Sequence, residues 1–582
     1  MSTNDLTWHP AGPLVTLHRG GTRVVTFGAA RIAVFHLEDG TLAALDDRCP
    51  HEGFPLAKGF VNQGVVTCRW HAFRFELKSG RCLVGDEHAT AYPVRIVGDQ
   101  LELGVAPPDP MAERRRFEAS LQSGLLRRRL GQVARDVARL LVGGATPRDI
   151  LRLAIYDDAT RAPYGLTHVL AVAHDLEPRL LGIASRLGED GLIAALLQPL
   201  DLCAEPLAYQ PLRPRPAPET LVGGSPENTF VELRRRVEAE DGEGAEAIIR
   251  GAVLVEDTPL ETLAVWFRAL VNDHLLDIGH AAIYFPKVFA WLAAEPTERA
   301  RESRDLVLGA YIRHIAMGTR EELLPEWQST LRAIDDASAG SDATLDELRR
   351  ALLEGPRDAV IPTTKGALMG FDQSAVIDTL VIAACLRLLR FDLAIERDPT
   401  VQNGWLDVTH DFTLASALRE AGDTRLVLLT AASIQRRSAL DAPADTRSFD
   451  ESTLAPRMVL GDVDAAEDLL HLALEHRDAD AIVAPAHHLA KTTPALLIDL
   501  LEDHVLTRAA GRPIFAAHHH KVMLAALSEH HRLTLTSPGH AHLPLVAAAR
   551  FVAAPLQERP IMRLAHEANR FVRQSRVPRR LA

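Results

Sequence analysis

Cys49-Pro50-His51, sixteen intervening residues, then Cys68-Arg69-Trp70-His71: the reading of this 582-residue chain turns on this stretch. Each half offers one thiolate and one imidazole on a single short loop. Two such loops can clamp one metal group near a surface. A structural Cys₂His₂ zinc site is one reading, but zinc fingers pair Cys with Cys and His with His on small ββα units. Here the pairs are mixed. That favours a two-iron cluster in which Cys49 and Cys68 bind one iron while His51 and His71 bind the other.

The flanks support a β framework. Val15-Thr16-Leu17, Val24-Val25-Thr26-Phe27, Ile32-Ala33-Val34-Phe35 and Val65-Val66-Thr67 are short apolar runs within residues 14–105, separated by turn signals. Asp39-Gly40, Ser79-Gly80 and Gly98-Asp99 each sit between two runs, as hairpin turns do. Around the ligands the chain resembles Rieske ferredoxins and the Rieske domains of ring-hydroxylating oxygenases. The residues that carry this are Asp46-Asp47-Arg48-Cys49-Pro50-His51-Glu52-Gly53, Leu56 and Gly59, Cys68 to Phe75, Ser79-Gly80, and the closing run Ala91 to Leu103. The resemblance covers residues 5–105 and implies a Rieske [2Fe–2S] cluster as cofactor. Respiratory-complex Rieske proteins carry two further loop cysteines joined in a disulfide, whereas those places hold Phe54 and Arg69-Trp70 here. The resemblance therefore implies the ferredoxin or oxygenase type, towards the low end of the roughly −150 to +300 mV Rieske range.

Beyond Ala106-Pro107-Pro108-Asp109-Pro110 the texture changes, since proline continues neither a ladder nor a helix. Apolar residues recur at helical spacing, as in Leu121…Leu125-Leu126 and Leu263…Phe267…Leu270-Val271, and Leu380 to Leu386 reads as a deeply buried helix. The expected fold is multidomain: a small all-β domain at 1–106, a proline-rich linker at 107–116, and a large all-α domain at 117–582. A sub-boundary is expected at 211–226, where Pro211 to Pro218 reads as an extended connection.

A Rieske cluster stores one electron and makes no bonds, so an acceptor is implied. In ring-hydroxylating oxygenases the acceptor is a mononuclear iron held by two His and a carboxylate. The string Asp468, His471, His476 has that spacing, but in a helical context far from the cluster. Leu276-Asp277-Ile278-Gly279-His280 and Leu406-Asp407-Val408-Thr409-His410 form a second candidate, each at the head of an apolar helix. Asp and His three apart share a helix face, and two such helices with carboxylates from others would make a di-iron bundle. Asp277, His280, Asp407 and His410 are then expected ligands, with Glu246 contributing. Twelve histidines fall between His471 and His542, a density suited to metal binding or proton transfer. His488, on a short, partly apolar helix, is the candidate picked from that group. His168/His174 and His274/His280 are six apart and point about 240° from one another, so neither pair can share a site from one straight helix.

These readings predict an iron–sulfur oxidoreductase. A flavin- or NAD(P)H-dependent reductase would feed the cluster, which passes electrons to a non-haem iron or di-iron site formed around His280, His410 and His488. That site would oxidise a small organic substrate with O₂. The alternative is an electron carrier fused to a helical docking or ligand-binding module without its own catalytic metal. The net charge of −13 argues against nucleic acid or an anionic membrane as partner. No basic start precedes an apolar stretch, no apolar run approaches a bilayer span, and the five cysteines are scattered. A cytoplasmic location with reduced thiols is expected, and self-association is compatible with the composition.

Overall fold

The computed structural model describes residues 6–574 except 29, 108, 221, 337–341, 398–403, 451, 458–460, 511–512, 555–557 and 560. Residues 108 and 221, within the expected linker and sub-boundary, thus lie outside the described residues. The chain divides into two compact units. One comprises residues 1–153, 188–197 and 562–582, the other 154–187 and 198–561.

Among the described residues the first unit holds ten strands: β1 (Thr7–Pro13), β2 (Thr22–Phe27), β3 (Ala30–His36), β4 (Leu42–Asp46), β5 (Phe60–Asn62), β6 (Val65–Thr67), β7 (Arg74–Glu76), β8 (Ala91–Tyr92), β9 (Val94–Val97) and β10 (Gln100–Val105). They form three antiparallel sheets, in the orders β2-β3-β4-β8, β1-β10-β9 and β5-β6-β7. Ile32 to Phe35 is a continuous apolar run because β3 is an inner strand with both faces covered. The expected turns at Asp39-Gly40 and Gly98-Asp99 join β3 to β4 and β9 to β10. Gly80 takes φ +73°, and a Cβ there would meet the Ala89 carbonyl oxygen at 2.0 Å, so no other residue fits. Val15-Thr16-Leu17 is not a strand. Pro13 precedes a 3₁₀ turn over Leu14–Thr16, closed by the Leu17 N–H donating to the Leu14 carbonyl.

The helices begin earlier than the apolar pattern suggests. Asp109 accepts from the Ala112 N–H and Pro110 fills the first helical position, so the helix runs Pro110–Leu126 and absorbs most of the expected linker. It packs with the helix Leu130–Val142, and both belong to the first unit. The compact unit around the cluster loops therefore extends past the proline-rich stretch. Buried Glu87 explains why: Arg135 grips its carboxylate through two nitrogens at 2.9 and 2.6 Å, and Arg139 adds a third contact at 3.1 Å.

The second unit is helical. Leu380 to Leu386 lies in the helix Gln373–Arg390, every residue of which from Val376 onward is buried. Pro211 to Pro218 forms neither helix nor strand and sends Arg213 and Arg215 onto Glu246. Four helices form a closed ring. Val169–Leu176 packs on His280–Ala293, which packs on Trp405–Ala421, which packs on Pro513–Thr536, which returns to Val169–Leu176. No described helix is long and apolar enough to cross a membrane.

Candidate metal centres

The two cluster loops repeat one backbone design. The Cys49 N–H donates to the Phe54 carbonyl and the Gly53 N–H returns to the Cys49 carbonyl. Cys68, Phe73 and Ala72 do the same nineteen residues on. Gly53 (φ +83°) and Ala72 (φ +55°) make the left-handed step that folds each loop back. Both sulfurs are buried over Leu56, Val66 and Phe75. They lie close enough to hydrogen-bond one another, which draws the Cys68 thiol down to about 6 and pushes Cys49 up. His51 stacks on Phe73 at 4.2 Å and meets His71 edge-on at 4.8 Å. Burial lowers His51 to about 4, and its buried Nδ1 has no hydrogen-bond partner among the described residues. Two facing sulfurs, two converging imidazoles and one orphaned ring nitrogen fit a cluster with one iron per ligand type. His71 is the open side, 38% exposed, with Glu52 at 3.8 Å.

A second constellation lies inside the ring of four helices. His168 precedes Val169–Leu176, His280 opens its helix, His410 lies in Trp405–Ala421 and His518 in Pro513–Thr536. Their Nε2 atoms form a chain: His168 to His280 at 3.0 Å, His280 to His410 at 2.8 Å, His410 to His518 at 3.2 Å. The four ligand atoms all lie within 4.8 Å of one another. His410 Nδ1 contacts the Leu406 carbonyl at 2.5 Å and His518 Nδ1 the Ile514 carbonyl at 2.7 Å. A carbonyl only accepts, so both Nδ1 atoms carry the proton and both Nε2 atoms present lone pairs. Two lone pairs facing each other at 3.2 Å are an arrangement that could share a cation. Donors at about 2.0–2.1 Å from one ion stand about 2.8–3.4 Å apart at angles of 90–109°, the spacing of the chain of Nε2 atoms. Burial holds all four imidazoles well below their ordinary pKa, in the neutral form that binds metal.

The local backbone fixes where these rings stand. Asp277, Ile278 and Gly279 have φ values of +46°, +58° and +94° in succession. A left-handed β-branched residue is costly, and such strain gathers at functional sites. Asp277 is pinned there by the Thr319 N–H, 2.8 Å from its carboxylate. Before His168, Thr167 donates its N–H and hydroxyl to buried Asp158. Tyr284, one turn past His280, packs against both the His168 and His280 rings. Lys521, one turn past His518, is fully buried and its Nζ has no hydrogen-bond partner among the described residues. Burial brings it down to about 7, and its charge acts on all four imidazoles.

The structure thus brings together His280 and His410 and separates the other residues singled out from the sequence. Glu246 is held by Arg213 and Arg215, Asp277 by Thr319, and Asp407 stands 3.4 Å from Arg437. The expected carboxylate-rich bundle is therefore replaced by an all-imidazole set. His471 is 55% exposed beside Glu467, and His476 is exposed at a helix end. His488 is half-buried and outside the cluster, as are His174 beside Asp175 and His274 between Glu322 and Glu238. His168 and His518 were not singled out. The first sits in a turn, and the second is one of the run His518-His519-His520, where sequence alone does not say which ring faces inward.

Among known families, the Rieske [2Fe–2S] domain matches residues 7–95. The chain is 33% identical to the anthranilate 1,2-dioxygenase ferredoxin subunit of Burkholderia cepacia over 17% of its own length and 92% of that protein. It is 43% identical to the 4beta-methylsterol monooxygenase of Methylococcus capsulatus over 10% of its own length but only 15% of that enzyme. The terminal oxygenase of carbazole 1,9a-dioxygenase from Nocardioides aromaticivorans aligns over 18% of this chain and 32% of its own, at 24% identity and a TM-score of 0.17.

Proposed function

Because the chain belongs to the Rieske [2Fe–2S] family through its first unit, we propose that its cluster passes single electrons to a redox metal held by His168, His280, His410 and His518, for O₂-dependent oxidation of a small organic substrate. The observation that carries this reading is the convergence of four neutral imidazole nitrogens from four helices, two with their lone pairs fixed inward. Imidazole suits iron, copper, nickel and zinc alike. Zinc has no use for an electron, so attachment to a low-potential Rieske domain favours iron. In the first unit Cys49, Cys68, His51 and His71 would hold the cluster, which supplies reversible one-electron storage.

The chain's own groups then have defined tasks. The Leu406 and Ile514 carbonyls orient His410 and His518, and the strained turn at 277–279 aims His280. Tyr284 and the surrounding helices bury His410 and His518 and leave His168 and His280 partly exposed. Lys521 is the candidate fifth donor, being a buried amine without a partner on the same helix face as His518. The electron donor would be a flavin- or NAD(P)H-dependent reductase. The test is O₂ uptake by full-length protein supplied with electrons. His280→Ala and His410→Ala should still reduce the cluster and keep its EPR signal while O₂ uptake falls at least about 100-fold, as for loss of a metal-centred step. Undiminished uptake in both variants would leave an electron carrier on a helical docking module as the better reading.

A further inference from the structure

The chain's net charge of −13 is not evenly spread. Residues 54–84 carry Lys58, Arg69, Arg74, Lys78 and Arg81 against one acid, Glu76, a net of 5 − 1 = +4. All five bases are exposed. They stand on and around the β5-β6-β7 sheet, whose β6–β7 loop carries His71, the open edge of the cluster. In the ladder Phe60 pairs with Thr67 and Thr67 with Arg74, so these side chains form one row on one face. Phe60 is 60% exposed and Arg69 lies over its ring at 4.3 Å. Leu83, hydrogen-bonded through its N–H to the Arg74 carbonyl, is a second exposed apolar side chain on this rim.

His51 is the less open of the two imidazoles, being half-buried. It stacks on Phe73, and the Arg135 and Glu87 charges act on it from the packed helix Leu130–Val142. Among the described residues the more open edge of the cluster is therefore at His71, where Glu52 stands 3.8 Å from the ring and the exposed bases and apolar side chains of residues 54–84 lie on the sheet that carries its loop.

We propose that this face docks an acidic one-electron donor protein. The donor loses one electron to the cluster through the His71 edge, and the cluster goes from its diferric to its mixed-valent form. Charge complementarity selects the occupant: an acidic donor is drawn to the +4 face of a chain that elsewhere repels it. Such pairing sets encounter rate and orientation more than final affinity. The proposal rests on the electron-entry half of the function above and is independent of the four-histidine centre.

The experiment is stopped-flow reduction of the cluster in the full-length protein by reduced flavodoxin, a strongly acidic donor. Photoreduced 5-deazariboflavin, a small uncharged donor, serves as comparison. The flavodoxin rate constant should fall about tenfold or more between about 20 mM and about 500 mM NaCl, with the deazariboflavin rate unmoved. The triple variant Lys58→Glu, Arg74→Glu, Lys78→Glu should keep its Rieske EPR signal and react at least about tenfold more slowly with flavodoxin alone. A flavodoxin rate indifferent to salt, or equal in wild type and triple variant, would overturn the proposal. If the triple variant lacks its cluster, the salt dependence of the wild type decides by itself. Because only cluster reduction is read, either result leaves the four-histidine metal to be judged by its own experiment.

Discussion

Lys521 shows what a single side chain reveals at the second site. An amine buried without a partner costs several kcal/mol unless it gives up its charge, and burial does bring Lys521 down to about 7. A core that wanted only volume there would hold methionine. If the amine is a donor to the metal, Lys521→Met should leave the metal-free fold as stable or more so. It should also let dialysis against a chelator strip the metal at least about tenfold faster, the scale on which loss of supporting groups weakens metal sites. Equal metal retention in variant and wild type would make Lys521 a filler. At this scale legibility is uneven. The four cluster ligands sit within 23 positions of one another, so spacing alone reveals their chemistry. His280 and His410 stand out through their shared Leu-Asp-x-x-His pentapeptide. His168 and His518 have no such local mark, because only the packing of helices more than 100 residues apart in sequence makes them neighbours.

Two elements carry positioning tasks that a substitution can probe. Gly279 joins the turn at 277–279 to the His280 helix. A Cβ there would meet Leu414 Cδ2 at 2.8 Å, on the helix that carries His410. Gly279→Ala thus adds backbone strain and a clash between two ligand helices, together about 1–3 kcal/mol. The expected outcome is a lower melting temperature and reduced metal per chain outside the cluster. A variant with full metal content would show that the turn does not position His280. The second element is the helix Leu130–Val142. Burial pushes Asp136 up to about 6, against which Arg139 pulls it down. The folded state therefore binds this proton more tightly than the unfolded chain, whose carboxyl titrates near 3.8. The stability from that proton is fully present below pH of about 4 and lost as pH rises through about 6, a difference of about 3 kcal/mol. Denaturant midpoints at pH 5 and pH 8 should accordingly differ less in Asp136→Asn than in wild type. An unchanged difference would mean that Asp136 does not titrate as its burial implies.

At the scale of the whole chain, a small β domain followed by helices was legible because period-two and period-3.6 patterns do not resemble one another, and the proline-rich stretch marks the change. Its edges were less legible. The helix at Pro110 starts on a cap, and the helices packed around Glu87 join the first unit through ion pairs that no hydrophobic period reports. The carboxylate ligands expected for the second site were misplaced for a related reason: buried acids such as Glu246 look the same in sequence whether they face a metal or an arginine. The claim that joins these levels is that one chain holds two redox centres. Metal analysis of the full-length protein, read together with its EPR spectrum, tests this most directly. The account predicts about three irons per chain, two in a Rieske signal and one lost on combined replacement of His168, His280, His410 and His518 by Ala with the Rieske signal intact. Two irons per chain, all in the cluster, with no other transition metal in wild-type protein, would contradict it.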